Sequence, residues 1–147
     1  MIPRILLIAA PFVWFGAVAA ISFMEAPLKF SAPGVTIPLG LGIGQLVFHM
    51  LNRVEIILFL VLAASVFFTR PVRRSVLVLF CIIAAILAVQ TFGLYPMLDT
   101  RAKAVINGTA APFSGLHIIY IATDTLKLIA LAAFGISAIK RYLKFQV

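Results

Sequence analysis

Four separate runs of predominantly apolar residues, each near the roughly 20 residues that an α-helix needs to cross a bilayer, leave this chain few ways to fold. They cover about residues 5–23, 45–68, 75–95 and 116–139. The runs are rich in Leu, Ile and Ala and lack the period-two alternation of barrel strands, so helices are expected. Composition closes the alternatives. The chain is 64% hydrophobic and 11% charged, against about 45–50% and about 25% in soluble domains. A globule of 147 residues has too little interior to hide that much apolar surface. A soluble enzyme and a disordered chain are excluded. The single cysteine, Cys81, excludes a disulfide framework and a cysteine-based metal motif. The expected class is all-α: a polytopic membrane protein, with residues 1–147 forming one four-transmembrane-helix bundle. Pro27, Pro33, Gly34 and Pro38, then Thr69-Arg70-Pro71, then Pro96 through Pro112 mark the expected connections.

The net charge of +8 points to topology rather than to nucleic acid, because the cations flank the apolar runs. Seven lie on one expected side: Arg4, Arg70, Arg73, Arg74, Lys140, Arg141 and Lys144. Three lie on the other: Lys29, Arg101 and Lys103. The positive-inside rule then places both termini in the cytoplasm, in a plasma or inner membrane, with the lipid bilayer as the first partner. Arg4, the following apolar run and Ala17-Val18-Ala19 resemble a cleavable signal peptide, but the run is long for one, so it is read as a retained first span. Asn107-Gly108-Thr109 forms a glycosylation sequon on the expected outer side.

The two halves read as one helical hairpin repeated in parallel. Phe23 to Pro27 and Phe92 to Pro96 share an F-x-x-x-P spacing, His49 and His117 follow the prolines at similar distances, and Glu55 and Asp124 follow the histidines. Such a repeat implies an axis along the membrane normal.

Polar residues converge on the outer half of all four spans. In the even spans they come early, and Ile56–Phe68 and Leu128–Ile139 are free of charge. In the odd spans they come late: Glu25, Gln90, Tyr95 and Asp99. At about 100° per residue, Gln45, His49, Asn52 and Arg53 form one stripe with Glu55 at its flank, and His117, Tyr120, Asp124 and Lys127 form another. Stripes of this kind face a bundle interior, and each mid-membrane charge costs about 2.5–3.5 kcal/mol on insertion scales. Ion pairing between helices is therefore expected, with Arg53 and Asp124 as the first candidate pair, since Arg grips a carboxylate bidentately. Glu25, Gln45, Asn52, Arg53, Glu55, Tyr120, Asp124 and Lys127 form the candidate ligand-binding set. His49 and His117 are candidate ligands for Cu, Zn, Fe or a haem. Gly40, Gly42 and Gly44 read as a close-packing or irregular entry to the second span rather than as a phosphate loop. Trp14 and the phenylalanines are expected to face lipid or fill the bundle.

At Ser22-Phe23, Pro27, Phe30, Asn52-Arg53, Glu55 and Leu116-His117 the chain resembles small four-span membrane families. It resembles the family of the cisplatin-resistance transmembrane protein and its bacterial relatives, on Ser22, Phe23, Pro27, Phe30 and His117. A weaker similarity is to anthrone-oxygenase-like membrane families. The first resemblance implies metal or xenobiotic handling and the second implies aromatic oxidation; neither supplies catalytic residues. Together, residues and resemblance lead to an outer polar pocket that binds a metal ion or a small redox or polar ligand. The alternatives are a membrane oxidoreductase acting on a quinone-like or phenolic substrate, and a non-catalytic subunit that docks a membrane partner protein or a second copy of itself.

Overall fold

The computed structural model describes residues 1–69, 72–111 and 114–142. They form four antiparallel helices: α1 (Ile2–Ser31), α2 (Ile37–Phe68), α3 (Arg74–Ile106) and α4 (Gly115–Tyr142), each long and apolar enough to cross a membrane. The protein is an all-α, four-helix integral membrane bundle. Met1 and Tyr142, the first and last described residues, lie at one end, called here the terminal end; α1 joins α2, and α3 leads toward α4, at the other, the distal end. With 28–33 residues, the helices run about 42–50 Å at 1.5 Å per residue. They outlast a hydrocarbon core of about 30 Å.

This extra length overturns one expectation. Pro27 and Pro96 do not end their helices. Each sits just beyond a π-helical segment, Ala19–Glu25 in α1 and Gln90–Leu94 in α3. A proline inside an α-helix has no N–H to give and clashes with the carbonyl four residues earlier, here that of Phe23 or Phe92. The wider π turn relieves that clash and lets the helix continue. Pro38 lies in the first turn of α2, where its missing N–H costs nothing, and the Thr36 Oγ1 accepts from the Leu39 backbone at 3.4 Å. Gly34, at φ 82°, makes the turn between α1 and α2.

Helices α1 and α3 each pack between α2 and α4, so like-directed helices stand diagonally opposite. That arrangement has a pseudo-two-fold axis along the bundle. Its register is fixed by Pro27 and Pro96, which are 69 positions apart. The same offset relates Leu7 to Val76, Trp14 to Ile83, Glu55 to Asp124 and Leu62 to Leu131, all fully buried. It also aligns the ends of the two π segments, Glu25 with Leu94. In this register His117 pairs with Phe48 rather than with His49. The apolar core is built from Leu7, Trp14, Leu62, Ile83, Leu131 and Phe134. Outward, Val13, Leu46, Ile57, Leu60, Phe68 and Ile129 are exposed, the inverse of a soluble bundle and the surface that lipid covers.

Candidate functional site

Charge sits at the centre of this apolar core. Glu55 of α2 and Asp124 and Lys127 of α4 are fully buried, at 0% exposure. The Lys127 Nζ spends its three protons on Glu55 Oε1, on Asp124 Oδ1 at 3.0 Å and on Gln90 Oε1 of α3 at 2.6 Å. The Gln90 Nε2 in turn donates to Asp124 Oδ1 at 2.8 Å and to Thr123 Oγ1 at 3.1 Å. From α1, Trp14 Nε1 donates to Glu55 Oε1 at 2.9 Å. All four helices thus converge on one polar centre. Counted along α4, that centre lies about 20 Å from Lys140 at the terminal end, so it sits deep in the span. Only Asp124 Oδ2 in this group is buried without a hydrogen-bond partner.

Two tyrosines lead from the centre toward the distal end. The Tyr95 hydroxyl of α3 donates to Glu55 Oε2 at 3.5 Å and lies 3.2 Å from the Tyr120 hydroxyl of α4. Both rings line the floor of a cavity of about 430 Å³ at the distal end. Its walls are largely apolar, and Phe23, Phe30 and Phe48 contribute rings beside the two tyrosines. Phe48 meets Tyr120 edge-on at 5.5 Å between ring centroids. The Lys29 ammonium projects into the wall, 5.7 Å from the Phe30 ring and 5.5 Å from the Phe48 ring, with Glu25 Oε2 at 3.4 Å. Gly40 and Gly44 make room for this segment: a Cβ on Gly40 would come within 2.2 Å of the Phe30 ring, and one on Gly44 within 2.9 Å of Lys29 Nζ. Gly42 faces open space. Across the cavity, Asp99 accepts from Gln45 at 2.8 Å, contacts His49 Nε2 at 3.2 Å and pairs with Lys103 at 3.3 Å.

The candidate residues therefore divide into two layers. Glu55, Asp124, Lys127 and Tyr120 belong to the centre and its outlet. Gln45, His49 and His117 line the cavity, and Glu25 pairs with the lining Lys29. Asn52 lies between them and accepts from Thr91 Oγ1 at 2.9 Å. Arg53 joins neither layer. It lies about 160° around α2 from Glu55, opposite the buried face of Gly44, Leu51 and Leu62, and is exposed. The expected Arg53–Asp124 pair does not form, and Lys127 takes both carboxyls instead. Of the two places expected for Trp14 it takes the bundle interior, where it also serves as a donor, and Lys29 is more than a topology charge. A buried indole N–H must find an acceptor, and that requirement was the available signal for Trp14. Among the described residues, no three His, Cys, Asp or Glu side chains gather as a metal ion would require.

No protein-family model, curated protein or solved structure matches the chain.

Proposed function

We propose that the distal cavity binds a small, largely apolar molecule with a polar ring substituent, of the quinone or phenol class. The observation that carries this reading is the cavity itself. Its volume of about 430 Å³ lies within the roughly 300–1,000 Å³ of small-molecule sites, which combine apolar walls with a few placed polar groups. The rings of Phe23, Phe30 and Phe48 in that apolar wall suit a flat ring. The hydroxyls of Tyr95 and Tyr120 at the floor suit its oxygen, and Lys29 and His117 add polar groups to the lining. The five positions that carry the resemblance to the cisplatin-resistance transmembrane family, Ser22, Phe23, Pro27, Phe30 and His117, all line this cavity. Kinship with that family is part of the proposal. The metal reading of His49 and His117 has less support, since no third ligand of that kind stands with them.

The test is thermal unfolding of the detergent-purified protein with a short-chain benzoquinone as probe. Wild type is expected to gain stability with probe concentration, as a ligand of the folded state requires. Gly44→Phe, which fills the cavity wall, is expected to show no gain. An unshifted wild type rejects the assignment.

The exposed Arg53 favours a second reading, a subunit that docks a membrane partner through the outer face of α2. Arg53→Ala would then release a co-purifying partner while leaving the probe-induced shift intact. For orientation, we propose that the terminal end faces the cytoplasm. It carries Arg4, Arg73, Arg74, Lys140 and Arg141, against Lys29, Arg101 and Lys103 distally; Arg70 and Lys144 lie outside the described residues. In a Cys81→Ser background, a cysteine at Asn107 should react with an impermeant thiol reagent in intact cells. Reaction only after lysis would reverse the orientation.

A further inference from the structure

The buried centre holds two carboxyl groups and one ammonium. Glu55 and Asp124 occupy positions related by the pseudo-two-fold axis, but Lys127 breaks the symmetry, because Leu58 stands at the corresponding place in α2. With both acids ionised, the centre would carry one negative charge in excess. The groups facing it offer no second cation. Trp14 from α1, Gln90 and Tyr95 from α3, and Thr123 and Tyr120 from α4 are all neutral. Among the described residues, Lys127 is the one basic side chain paired with either acid. An unbalanced charge in a medium this dry is prohibitively costly, and proteins resolve it by changing protonation. The second observation is Asp124 Oδ2, buried and without any donor. A charged carboxylate oxygen left bare in the interior is the arrangement that buried ion pairs avoid.

We propose that this centre is a proton-binding site. Glu55 and Asp124 together hold one exchangeable proton, and the hydroxyls of Tyr95 and Tyr120 conduct it between the centre and the distal cavity. On release, the carboxylic O–H of Glu55 breaks and its proton passes to the Tyr95 oxygen. The Tyr95 proton passes to the Tyr120 oxygen, and the Tyr120 proton passes to water in the cavity. The products are a carboxylate and a hydronium ion, with both tyrosines unchanged and nothing oxidised or reduced. Reloading is the reverse. The proton site does not depend on what the cavity binds.

The chain suits a direct test, because it has only four Asp and Glu residues. Two of them, Glu25 and Asp99, are paired with lysines in the distal layer. Infrared spectroscopy of the lipid-reconstituted protein at neutral pH should show a protonated-carboxyl carbonyl band equivalent to one group per chain, shifting in D2O. The band should vanish in Glu55→Gln and equally in Asp124→Asn, since either change removes the excess charge, and should persist in Glu25→Gln. Absence of the band in wild type overturns the proposal without recourse to any variant. So does its survival in both centre variants. For the conduit, Tyr95→Phe should slow deuterium exchange of the band about tenfold, the rate equivalent of one lost relay hydrogen bond. Exchange at the wild-type rate would remove the tyrosines from the path.

Discussion

Lys127→Met tests whether the charged centre holds the bundle together. The substitution keeps an unbranched, flexible side chain one atom shorter than lysine and deletes the one cation among two carboxyls. Gln90 Oε1 loses its donor, Glu55 Oε1 keeps only Trp14, and Asp124 Oδ1 keeps only Gln90. Removing one partner of a buried ion pair costs about 3–5 kcal/mol in soluble proteins. Membrane interiors discount this, because the unfolded chain in the bilayer also finds partners; interhelical polar contacts there average about 0.6 kcal/mol, so three would sum to about 2 kcal/mol. The expected loss is then about 2–4 kcal/mol, a drop of about 30-fold to 700-fold in the folding equilibrium at 1.4 kcal/mol per decade. The assay is reversible unfolding in mixed micelles by SDS titration, followed by circular dichroism and by the fluorescence of Trp14, the single tryptophan. The control is the triple variant Lys127→Met/Glu55→Gln/Asp124→Asn. It carries no unpaired charge and should recover most of the loss, as buried ion networks do when replaced whole. A single variant that loses under about 1 kcal/mol would refute the reasoning, since the three lost contacts at the membrane average already sum to about 2 kcal/mol. A triple variant no better than the single would show that packing around Lys127, and not its charge, was measured.

The other expectations use the same titration, followed by circular dichroism alone in Trp14→Phe, which has no tryptophan. Trp14→Phe removes a buried donor from Glu55 and should cost about 1–3 kcal/mol, with helix content unchanged. Gly42→Ala meets open space and should gain about 0.4–1 kcal/mol by restricting the unfolded chain. Gly40→Ala must displace the Phe30 ring and should lose about 1–3 kcal/mol as an overpacked contact does; equal effects at the two glycines would contradict the close approach of α1 to α2. Arg53→Ala, on an exposed face, should leave the unfolding midpoint within about 0.5 kcal/mol of wild type.

Much of the fold was legible because a bilayer leaves one solution for four long apolar runs. The limits of the helices were not, because hydropathy reports where lipid is, while backbone hydrogen bonding decides where a helix stops. Pro27 and Pro96 therefore read as boundaries although both are accommodated. Convergence of polarity was legible at Glu55, Tyr120, Asp124 and Lys127, whose stripes turn inward. The pairing was not. Arg53 and Glu55 are two positions apart on one helix, so only one of them can face the core, and sequence alone favoured the better carboxylate ligand over the one with the right azimuth. His49 and His117 sit where the sequence put them, near the distal end. Asp99, which binds His49, was visible only as a late polar residue of the third span.

The π segment in α3 explains how one helix serves both layers. In an α-helix, residues five apart diverge by about 140°, so Gln90 directed at Lys127 would leave Tyr95 turned toward a neighbouring face. A turn closed by i→i+5 bonds brings such residues back into register. Gln90 opens that segment and Tyr95 follows it directly, and both are buried. Pro96 keeps the wide turn in place, because reverting to α geometry would restore its clash with the carbonyl of Phe92. In α1 the equivalent turn precedes Pro27, and Lys29 beyond it reaches the cavity wall with Glu25 as its ion-pair partner. One proline at the same place in each hairpin thus produces the widened turns. In α3 that turn also joins the cavity floor to the charged centre, and there Tyr95 touches both.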